Sequence, residues 1–542
     1  MSRRRDAAGR APAPNGPAGT PPAPEPTRGE FVSAAVADDL RAAAAEAGVP
    51  LAAGAGTRAG AERLALRFRG RVDRLTAEER RALCDRVGDD AGDDTVRGRT
   101  AAIVARVRRE GDAALRAMAL EFDGAELRQL EVPRAEWRAA LEEVDAGLRR
   151  AMERAAENIR TVHEAFRPRA VEVEPEPGVV VGRRPDPLTR VGVYAPGGRA
   201  AYPSSLLMGV VPAKVAGVEE VVVCSPPGPD GLPSAVVLAA AAIAGADRVF
   251  ALGGAGAVAA MAYGTESVPR VDRIVGPGNA YVAEAKVQVS RAVAIDSPAG
   301  PSELLVIADH TADPVAVARE LVAQAEHDPM AAVVCVAVGD ETAEQVEEAL
   351  AELSAEAGRA DVVRAALGAQ GGVLVAQTYD EAAAFASDYA AEHLQLAIGA
   401  PEQKMVLARL RHTGTVFLGE TSSVAYGDYM TGANHVLPTG GLARSYSGLS
   451  TLDFIRWTTY QRVTPQAAAR MAYDVGRFAD AEGLPGHAAA ARAWEKTRDG
   501  GRTRLAERAF RKRARDIRDG AGAEALGASE LGAGGEGDEG DA

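Results

Sequence analysis

From residue 190 onward, short runs of β-branched and other apolar residues alternate with alanine-rich stretches that favour helix. Nine such runs predict strands, and most are followed by 8 to 15 residues of helix-forming sequence. The nine predicted strands are Val191–Tyr194, Val218–Cys224, Arg248–Leu252, Arg273–Val275, Leu304–Ala308, Ala332–Val338, Gly372–Ala376, Leu394–Ile398 and Thr415–Leu418. Such alternation predicts parallel sheets covered by helices, and nine strands suit two modest α/β sheets better than one.

The two ends of the chain differ in composition from the body between them. Of the first 60 residues, 34 are Ala, Gly or Pro, which predicts a flexible extension because little apolar surface offsets the entropy of ordering. Residues 502–518 carry eight basic side chains at roughly helical spacing, and residues 519–542 carry seven acidic ones. A solvated helix face and a solvated tail are expected there, with an anion-binding patch as the alternative for the basic stretch. The predicted organisation is a disordered extension at 1–60, a helical segment at 61–189, α/β domains at 190–300 and 301–445, a helical segment at 446–500 and a flexible tail at 501–542.

Composition excludes several classes of protein. The formal net charge of −14 over 542 residues argues against a general affinity for nucleic acid or anionic membranes. Cys84, Cys224 and Cys335 lie more than 100 residues apart, so neither a disulfide framework nor a thiolate metal site is expected. No apolar run approaches the roughly 18–20 residues of a membrane span, and the N-terminus lacks the apolar region of a signal peptide. The expected compartment is the cytoplasm.

Gln324 and His327 lie three residues apart near the end of a predicted helix that begins around Asp313, so both side chains leave from one face. Imidazole nitrogen together with hard oxygen donors suits zinc. Asp428, in a glycine-flanked loop, and His487, in a loop broken by Gly and Pro, are the candidates for the remaining ligands. From spacing alone, a zinc site and a set of unrelated polar residues both remain open.

Glu392 and His393 begin a predicted strand. A carboxylate and an imidazole in one pocket can activate water and shuttle protons near neutral pH. Because neighbouring residues of a strand point to opposite faces, both can act on one substrate only where the backbone is irregular. A solvent-exposed pair at the edge of a sheet is the alternative.

Three glycine-rich loops follow predicted strands, where backbone N–H groups can approach an anion. They are Tyr194–Gly198, Leu252–Gly256 and Gly276–Asn279. Gly254, Gly256 and Ala259 have the spacing of a dinucleotide fingerprint, but the acidic residue expected about 20 positions further on does not end the next strand. The loop is equally compatible with a turn required for close packing.

Seven stretches occur in one order along the chain: Val191–Gly198, Tyr263–Pro269, Gly276–Ala280, Asp296–Glu303, Gln324–His327, Glu392–Leu394 and Gly432–Thr439. In this order they resemble the histidinol dehydrogenase family of zinc- and NAD-dependent enzymes, over roughly residues 66 to 497. The resemblance implies an α/β fold of two incomplete Rossmann-like parallel-sheet domains, at 190–300 and 301–445, with smaller helical N- and C-terminal segments. It also implies a homodimer with shared active sites, in which a C-terminal segment that crosses to the partner would explain why His487 is so distant from the other ligands.

The resemblance implies a role for each matching residue. The implied zinc ligands, one ion per subunit, are Gln324, His327, Asp428 and His487, and the implied acid/base pair is Glu392 and His393. The substrate pocket would be lined by these zinc ligands together with Ser302, His393, His435 and Glu482. Tyr194, Gly256 and Asn279 would contact NAD. The implied reaction oxidises L-histidinol to L-histidine with two NAD through a bound aldehyde, as the last step of histidine biosynthesis.

Two positions depart from the family pattern. Gly256 stands where the family commonly has glutamine, so a side-chain contact to NAD is lost, and Ala391 stands where proline usually precedes the Glu-His pair. The alternatives to histidinol oxidation are an NAD-dependent oxidation of another small amino or hydroxy alcohol, and a zinc hydrolase.

Overall fold

The computed structural model describes residues 64–84, 86, 94–197, 201–298 and 300–495. The predicted extension at 1–60 and the predicted tail at 501–542 lie outside the described residues. The strands are β1 (Phe68–Arg71), β2 (Val171–Glu176), β3 (Val179–Pro187), β4 (Arg190–Tyr194), β5 (Glu220–Ser225), β6 (Arg248–Ala251), β7 (Arg273–Val275), β8 (Ala294–Ile295), β9 (Glu303–Ala308), β10 (Ala332–Val338), β11 (Gly372–Ala376), β12 (His393–Ala397), β13 (Thr415–Leu418) and β14 (Ile455–Val463).

The helices of the described residues are α1 (Ala77–Cys84), α2 (Asp94–Glu110), α3 (Asp112–Asp123), α4 (Arg134–Glu143), α5 (Ala146–Ala165), α6 (Pro203–Ala216), α7 (Ala235–Ala244), α8 (Gly254–Tyr263), α9 (Ala280–Val289), α10 (Pro314–Ala325), α11 (Asp340–Glu356), α12 (Ala360–Gln370), α13 (Tyr379–Tyr389), α14 (Ala400–Arg409), α15 (Val424–Tyr429), α16 (Pro465–Ala481) and α17 (Pro485–Arg492). In the described part of the chain, none of these helices has the length and apolar character needed to cross a bilayer.

The first of two compact units contains the described residues up to 86, residues 300–424 and residues 438–447. Its six strands form a parallel sheet in the order β1-β11-β10-β9-β12-β13. Alternate residues of β9 enter separate apolar cores, since Leu304 and Val306 belong to one cluster and Leu305 and Ile307 to the other. Helices therefore cover both faces of the sheet, as the near-continuous apolar strands predict.

The second unit contains the described parts of residues 94–298, residues 425–437 and residues from 448 to 495. Its parallel sheet has the strand order β6-β5-β4-β7-β8. The first strand, β4, lies in the middle, and the connections run outward in opposite directions from β4 and β7. A strand order of this kind opens a crevice at the carboxyl ends of the two central strands. All nine predicted strands occur in the two parallel sheets, which confirms the predicted fold class.

A three-stranded antiparallel sheet, β14-β3-β2, also lies in the second unit. Residues 455–463 form its strand β14 rather than the helix that was expected across residues 446–500. Residues 171–187 likewise form strands within a region that was expected to be helical. The reason is local composition, because Trp457, Thr458, Thr459 and Tyr460 have side chains that favour an extended backbone.

Candidate active site

Glu392 and His393 lie at the amino end of β12 in the first unit. His393 is the first residue of the strand and pairs with Leu304 of β9 and Thr415 of β13. The chain turns into this strand through Ala390, whose φ of +53° ends α13. Because Glu392 precedes the strand, the alternation of faces does not separate the two side chains, and Oε2 of Glu392 lies 3.5 Å from Nδ1 of His393. The backbone irregularity that the pair requires is present.

Both side chains are buried, with Glu392 5% and His393 4% exposed, which excludes the alternative of a solvent-exposed pair. Burial raises the pKa of the Glu392 carboxyl, and the negative charge of Glu303 adds to the rise, whereas His393 and the backbone N–H of Glu303 act in the opposite direction. Nδ1 of His393 lies 3.0 Å from the backbone oxygen of Glu303, to which it donates its proton. This contact makes Nε2 the basic nitrogen of the ring.

Gln324 and His327 are brought together at the end of α10, which begins after the N-cap residue Asp313 as predicted. Gln324 is buried in the last turn of the helix. Nδ1 of His327 lies 3.3 Å from the backbone oxygen of Gln324, which orients the ring. Ser302 is half-buried immediately before β9, and its backbone oxygen accepts from the N–H of Ala332.

Asp428 and His435 are brought together in the second unit. The backbone oxygen of Asp428 lies 2.8 Å from Nδ1 of His435, and Nε2 of the same ring lies 3.3 Å from Oγ of Ser205. Both residues are half-buried. The imidazole therefore has one nitrogen engaged by the backbone of Asp428 and the other by α6. Asp428 lies in the short helix α15 rather than in the loop that its flanking glycines predict.

Glu482 and His487 are exposed near the C-terminal end of the second unit. Glu482 is the C-cap residue of α16, and His487 lies in the first turn of α17. Among the described residues, no group of three or more His, Cys, Asp or Glu side chains is arranged to hold a metal ion.

A cavity of about 740 Å³ in the second unit contains the three residues expected to contact NAD. Tyr194, Gly256 and Asn279 line it together with the start of α8. The Tyr194 hydroxyl accepts from the N–H of Gly254 at 3.1 Å, and burial raises the pKa of this phenol to about 12. The volume is within the range of small-molecule and cofactor sites.

Gly256 lies inside α8, and a side chain at this position would meet residues that line the cavity. A Cβ atom there would come within 3.2 Å of Sδ of Met118 and 3.5 Å of Cδ2 of Leu115. Both side chains also line the cavity. A larger residue at position 256 would therefore have to displace Met118, and the apolar pair occupies space beside the position where the family commonly has glutamine.

The loop that follows β7 is held by a buried ion pair. The N–H of Gly276 donates to Oδ2 of Asp296 at 2.7 Å, and Nζ of Lys286 donates to the carbonyl oxygen of Gly276 at 3.1 Å. Lys286 and Asp296 also form a direct ion pair, with side chains only 2% and 5% exposed. Asn279 ends this loop as the N-cap of α9, where its Oδ1 accepts from the N–H of Val282.

Comparison with known proteins identifies the family. A family model for histidinol dehydrogenase matches residues 88–494. The chain belongs to the histidinol dehydrogenase family. It is 51% identical over 416 residues to the histidinol dehydrogenase of Halobacterium salinarum, covering 77% of this chain and 96% of the relative. It is 45% identical over 393 residues to that of Methanosarcina mazei, covering 72% and 90%.

A solved structure agrees with this assignment. The crystal structure of histidinol dehydrogenase from Elizabethkingia anophelis matches with a TM-score of 0.76 at 33% identity, covering 80% of this chain and 98% of that one. Membership of the histidinol dehydrogenase family makes the chain an oxidoreductase of amino-acid biosynthesis.

Sequence reasoning missed three residues at these sites. Asp123 lines the cavity of the second unit, and desolvation raises the pKa of its carboxyl. Glu303 and Arg86 form a buried ion pair in the first unit, beside Glu392. Glu303 was inside a stretch that carries the family resemblance, whereas nothing in the sequence around Arg86 or Asp123 distinguishes them from the many charged residues of the N-terminal region.

Gly276 provides a test of the loop geometry. Its φ is +116°, and a Cβ atom would lie 2.1 Å from the carbonyl oxygen of Tyr194. We expect Gly276→Ala to lower the free energy of unfolding by about 3 kcal/mol or more, since a backbone clash adds to the unfavourable φ. The control is Gly245→Ala, where φ is +79° but nothing lies within 4 Å of a Cβ atom. There the expected loss is about 1–2 kcal/mol. Denaturant unfolding followed by circular dichroism measures both, and equal losses would contradict the predicted clash.

Proposed function

We propose that the chain catalyses the zinc-dependent oxidation of L-histidinol to L-histidine, with two NAD and through bound histidinaldehyde. The observation that carries the proposal is the buried contact between Glu392 and His393, whose Oε2 and Nδ1 atoms lie 3.5 Å apart. Conversion of an alcohol to an acid needs a proton acceptor for the hydroxyl group and a base for water, and this pair supplies both. Family membership supports histidinol as the substrate.

The proposed zinc ligands are Gln324, His327, Asp428 and His487. Two imidazole nitrogens, a carboxylate oxygen and an amide oxygen form a donor set that suits zinc. The orientation of His327 fits this role, because the contact of Nδ1 with the backbone oxygen of Gln324 makes Nε2 the nitrogen presented to a metal. When bound, zinc supplies a Lewis acid that holds and orients the substrate.

The cavity of the second unit fits NAD. It offers the backbone N–H groups at the start of α8, an oriented phenol at Tyr194 and the polar side chain of Asn279. N–H groups at a helix N-terminus favour the phosphate groups of a dinucleotide. When bound, NAD supplies the hydride acceptor for each of the two oxidations.

In the proposed reaction, His393 acts first. Nε2 of His393 accepts the proton of the substrate hydroxyl, while the Nδ1 contact with the Glu303 carbonyl keeps the ring oriented. Glu392 then takes a proton from the water that attacks the aldehyde, for which its raised pKa makes it a stronger base than an exposed carboxylate. As water adds, His393 returns its first proton to the aldehyde oxygen, and the neutral ring then accepts a second proton during oxidation of the hydrated aldehyde.

The remaining predicted residues would define the substrate. We assign Glu482 to the substrate ammonium or imidazole group, so that alcohols without these groups are rejected. Ser302 and His435 would line the same pocket. The exposed position of Glu482 at the end of α16 leaves its carboxylate available for such a contact.

The proposed assembly is a homodimer with shared active sites. Helix α16 and the turn that follows it expose large apolar side chains on both sides of Glu482. These are Tyr473, Val475, Phe478 and Leu484, of which Phe478 is 75% exposed. Exposed apolar side chains of this size beside two proposed active-site residues support burial against a second copy of the chain.

Shared sites can be tested by mixing two chains that are each inactive in L-histidinaldehyde oxidation. A hybrid of a Glu392→Gln chain and a His487→Asn chain contains one intact site if His487 acts in the partner's site. We expect the co-expressed hybrid to regain up to about half of the wild-type activity per dimer, since one of its two sites is complete. A hybrid as inactive as its two parents would contradict the sharing of sites.

The proposed compartment is the cytoplasm. Cys84, Cys224 and Cys335 are all buried free thiols, which supports a reducing environment.

The division of labour between Glu392 and His393 predicts unequal losses in the two half-reactions. We expect Glu392→Gln to lower oxidation of supplied L-histidinaldehyde by about 100-fold or more, because water activation loses its base. Oxidation of L-histidinol to the aldehyde should fall much less, since His393 remains. NADH formation from each substrate measures the two steps. The matched control is Glu344→Gln, on the exposed face of α11. Equal losses in both half-reactions would contradict the assigned roles.

A further inference from the structure

A buried ion pair lies directly beside the Glu392–His393 pair in the first unit. Arg86 donates to both carboxylate oxygens of Glu303, from Nε at 2.9 Å and from Nη2 at 2.8 Å. The two side chains are only 6% and 3% exposed. Burying such a pair costs free energy unless its remaining hydrogen-bonding groups are also satisfied. The other contacts of Arg86 and Glu303 therefore show which groups the ion pair holds in place.

Arg86 is fixed from several sides. Its guanidinium group lies 3.5 Å from the centre of the Tyr389 ring, and Nη2 donates to the backbone oxygen of Tyr389 at 3.0 Å. Nη1 donates to the backbone oxygen of Leu83 at the end of α1. Arg86 therefore holds the Glu303 carboxylate in one orientation between α1 and α13.

Glu303 in turn contacts both residues of the proposed acid/base pair. Its backbone N–H donates to Oε2 of Glu392 at 2.7 Å, and the Glu392 N–H donates to Oε2 of Glu303 at 3.3 Å. Its backbone oxygen lies 3.0 Å from Nδ1 of His393. Its Oε1 accepts from the N–H of Gly440 at 2.7 Å. One residue thus contacts the carboxylate of Glu392, the backbone of Glu392 and the ring of His393.

We propose that Glu303, held by Arg86, is a positioning residue that sets the orientation of Glu392 and His393 for the oxidation. This proposal rests on the proposed function of the pair. Glu303 acts through Glu392 and His393, whereas Arg86 acts one step further away, through Glu303.

The requirement is specific for a carboxylate. Oε1 accepts from Arg86 and Gly440, and Oε2 accepts from Arg86 and Glu392, so both oxygens are used twice. Glutamine has the same shape but replaces one oxygen by an NH₂ group that only donates. In Glu303→Gln, the NH₂ group must therefore lie opposite a backbone N–H or the guanidinium group of Arg86, so that two donors oppose each other. The expected result is a displaced Glu392 or His393 in a protein that retains its fold.

Charge gives the proposal a second, independent readout. The charged groups that face Glu392 are His393 and Glu303, and those around Glu303 include Arg86, with the Tyr389 phenol and the Cys84 thiol also nearby. The negative charge of Glu303 adds to the rise in the pKa of Glu392 that burial causes. Glu303→Gln removes this charge and leaves Arg86 positive. The pKa of Glu392 should fall, and the acidic limb of the pH profile should move to lower pH.

The experiment compares variants of the full-length, zinc-loaded protein. For Glu303→Gln we expect kcat for L-histidinaldehyde oxidation to fall 10- to 100-fold, as displacement of catalytic groups by about 1 Å commonly causes. We expect the KM values for both substrates to change less than about threefold, zinc content to stay at the wild-type level, and the acidic limb of the pH profile to shift to lower pH.

The chain offers a matched control in the same unit. Arg69 donates to Oε1 of Glu347 from Nε at 3.0 Å and from Nη2 at 2.7 Å, and the two side chains are 29% and 22% exposed. Arg69 lies in β1, which β11, β10 and β9 separate from the strand of His393. Glu347→Gln removes the negative charge of an Arg–Glu ion pair at a distance from the acid/base pair. Its kcat and pH profile should remain those of the wild type. A folded, zinc-loaded Glu303→Gln variant with the same kcat and pH profile as Glu347→Gln would overturn the proposal.

A double variant covers the case in which Glu303→Gln does not fold. If an uncompensated Arg86 prevents folding of Glu303→Gln, the double variant Arg86→Gln/Glu303→Gln removes both buried charges. Wild-type kcat and pH profile in this double variant would also overturn the proposal.

The histidine ring resonances of selectively labelled protein give a readout that needs no turnover, with His393→Asn to assign the signal. If the wild type oxidises no histidinol, the proposed function fails, whereas a changed His393 titration in Glu303→Gln still supports the positioning role.

Discussion

Glu303 and Glu392 are buried side by side at the amino ends of β9 and β12, and each backbone N–H donates to the carboxylate of the other residue. Two carboxylates buried side by side are tolerated only where cations and N–H groups compensate their negative charge. Arg86 and the N–H of Gly440 compensate Glu303, and His393 lies against Glu392. The position of the proposed acid/base pair is thereby tied to residues from α1, α13 and the loop that contains Gly440.

The two parallel sheets use related strand orders in different ways. In the second unit the first strand, β4, lies in the middle, and later strands add on both sides of it. In the first unit β9 has neighbours from later in the chain on both sides, β10 and β12, whereas the earlier strand β1 lies at the edge beside β11. In the second unit, Tyr194 and Gly276 follow the central strands at their carboxyl ends, where α/β sheets commonly bind ligands. In the first unit, Glu303 and His393 begin the central strands at their amino ends. The fold rule therefore locates the cavity of the second unit but not the proposed acid/base pair.

The sequence predicted the parallel sheets because their strands are short apolar runs between helical stretches, and that signal is local. The antiparallel sheet was missed because β2 is exposed throughout and β3 contains Gly182, Pro185 and Pro187, which commonly mark turns. Its partner β14 lies more than 260 residues further along the chain. A similar separation explains why Arg86 was missed, since it lies 217 residues from Glu303 and no local pattern marks it. Local patterns indicated the residues that are proposed to carry the chemistry, while the contacts that hold these residues depend on pairing between distant segments.

The proposed function requires this protein alone to carry out two successive oxidations, of histidinol and then of the bound aldehyde, with zinc. The most direct measurement is the yield of NADH from a limiting amount of L-histidinol with excess NAD, for the purified protein as prepared, after chelation, and after zinc is restored. We expect two NADH per histidinol, loss of this activity on chelation, and recovery with zinc. One NADH per histidinol, or none from protein that contains its full complement of zinc, would contradict it.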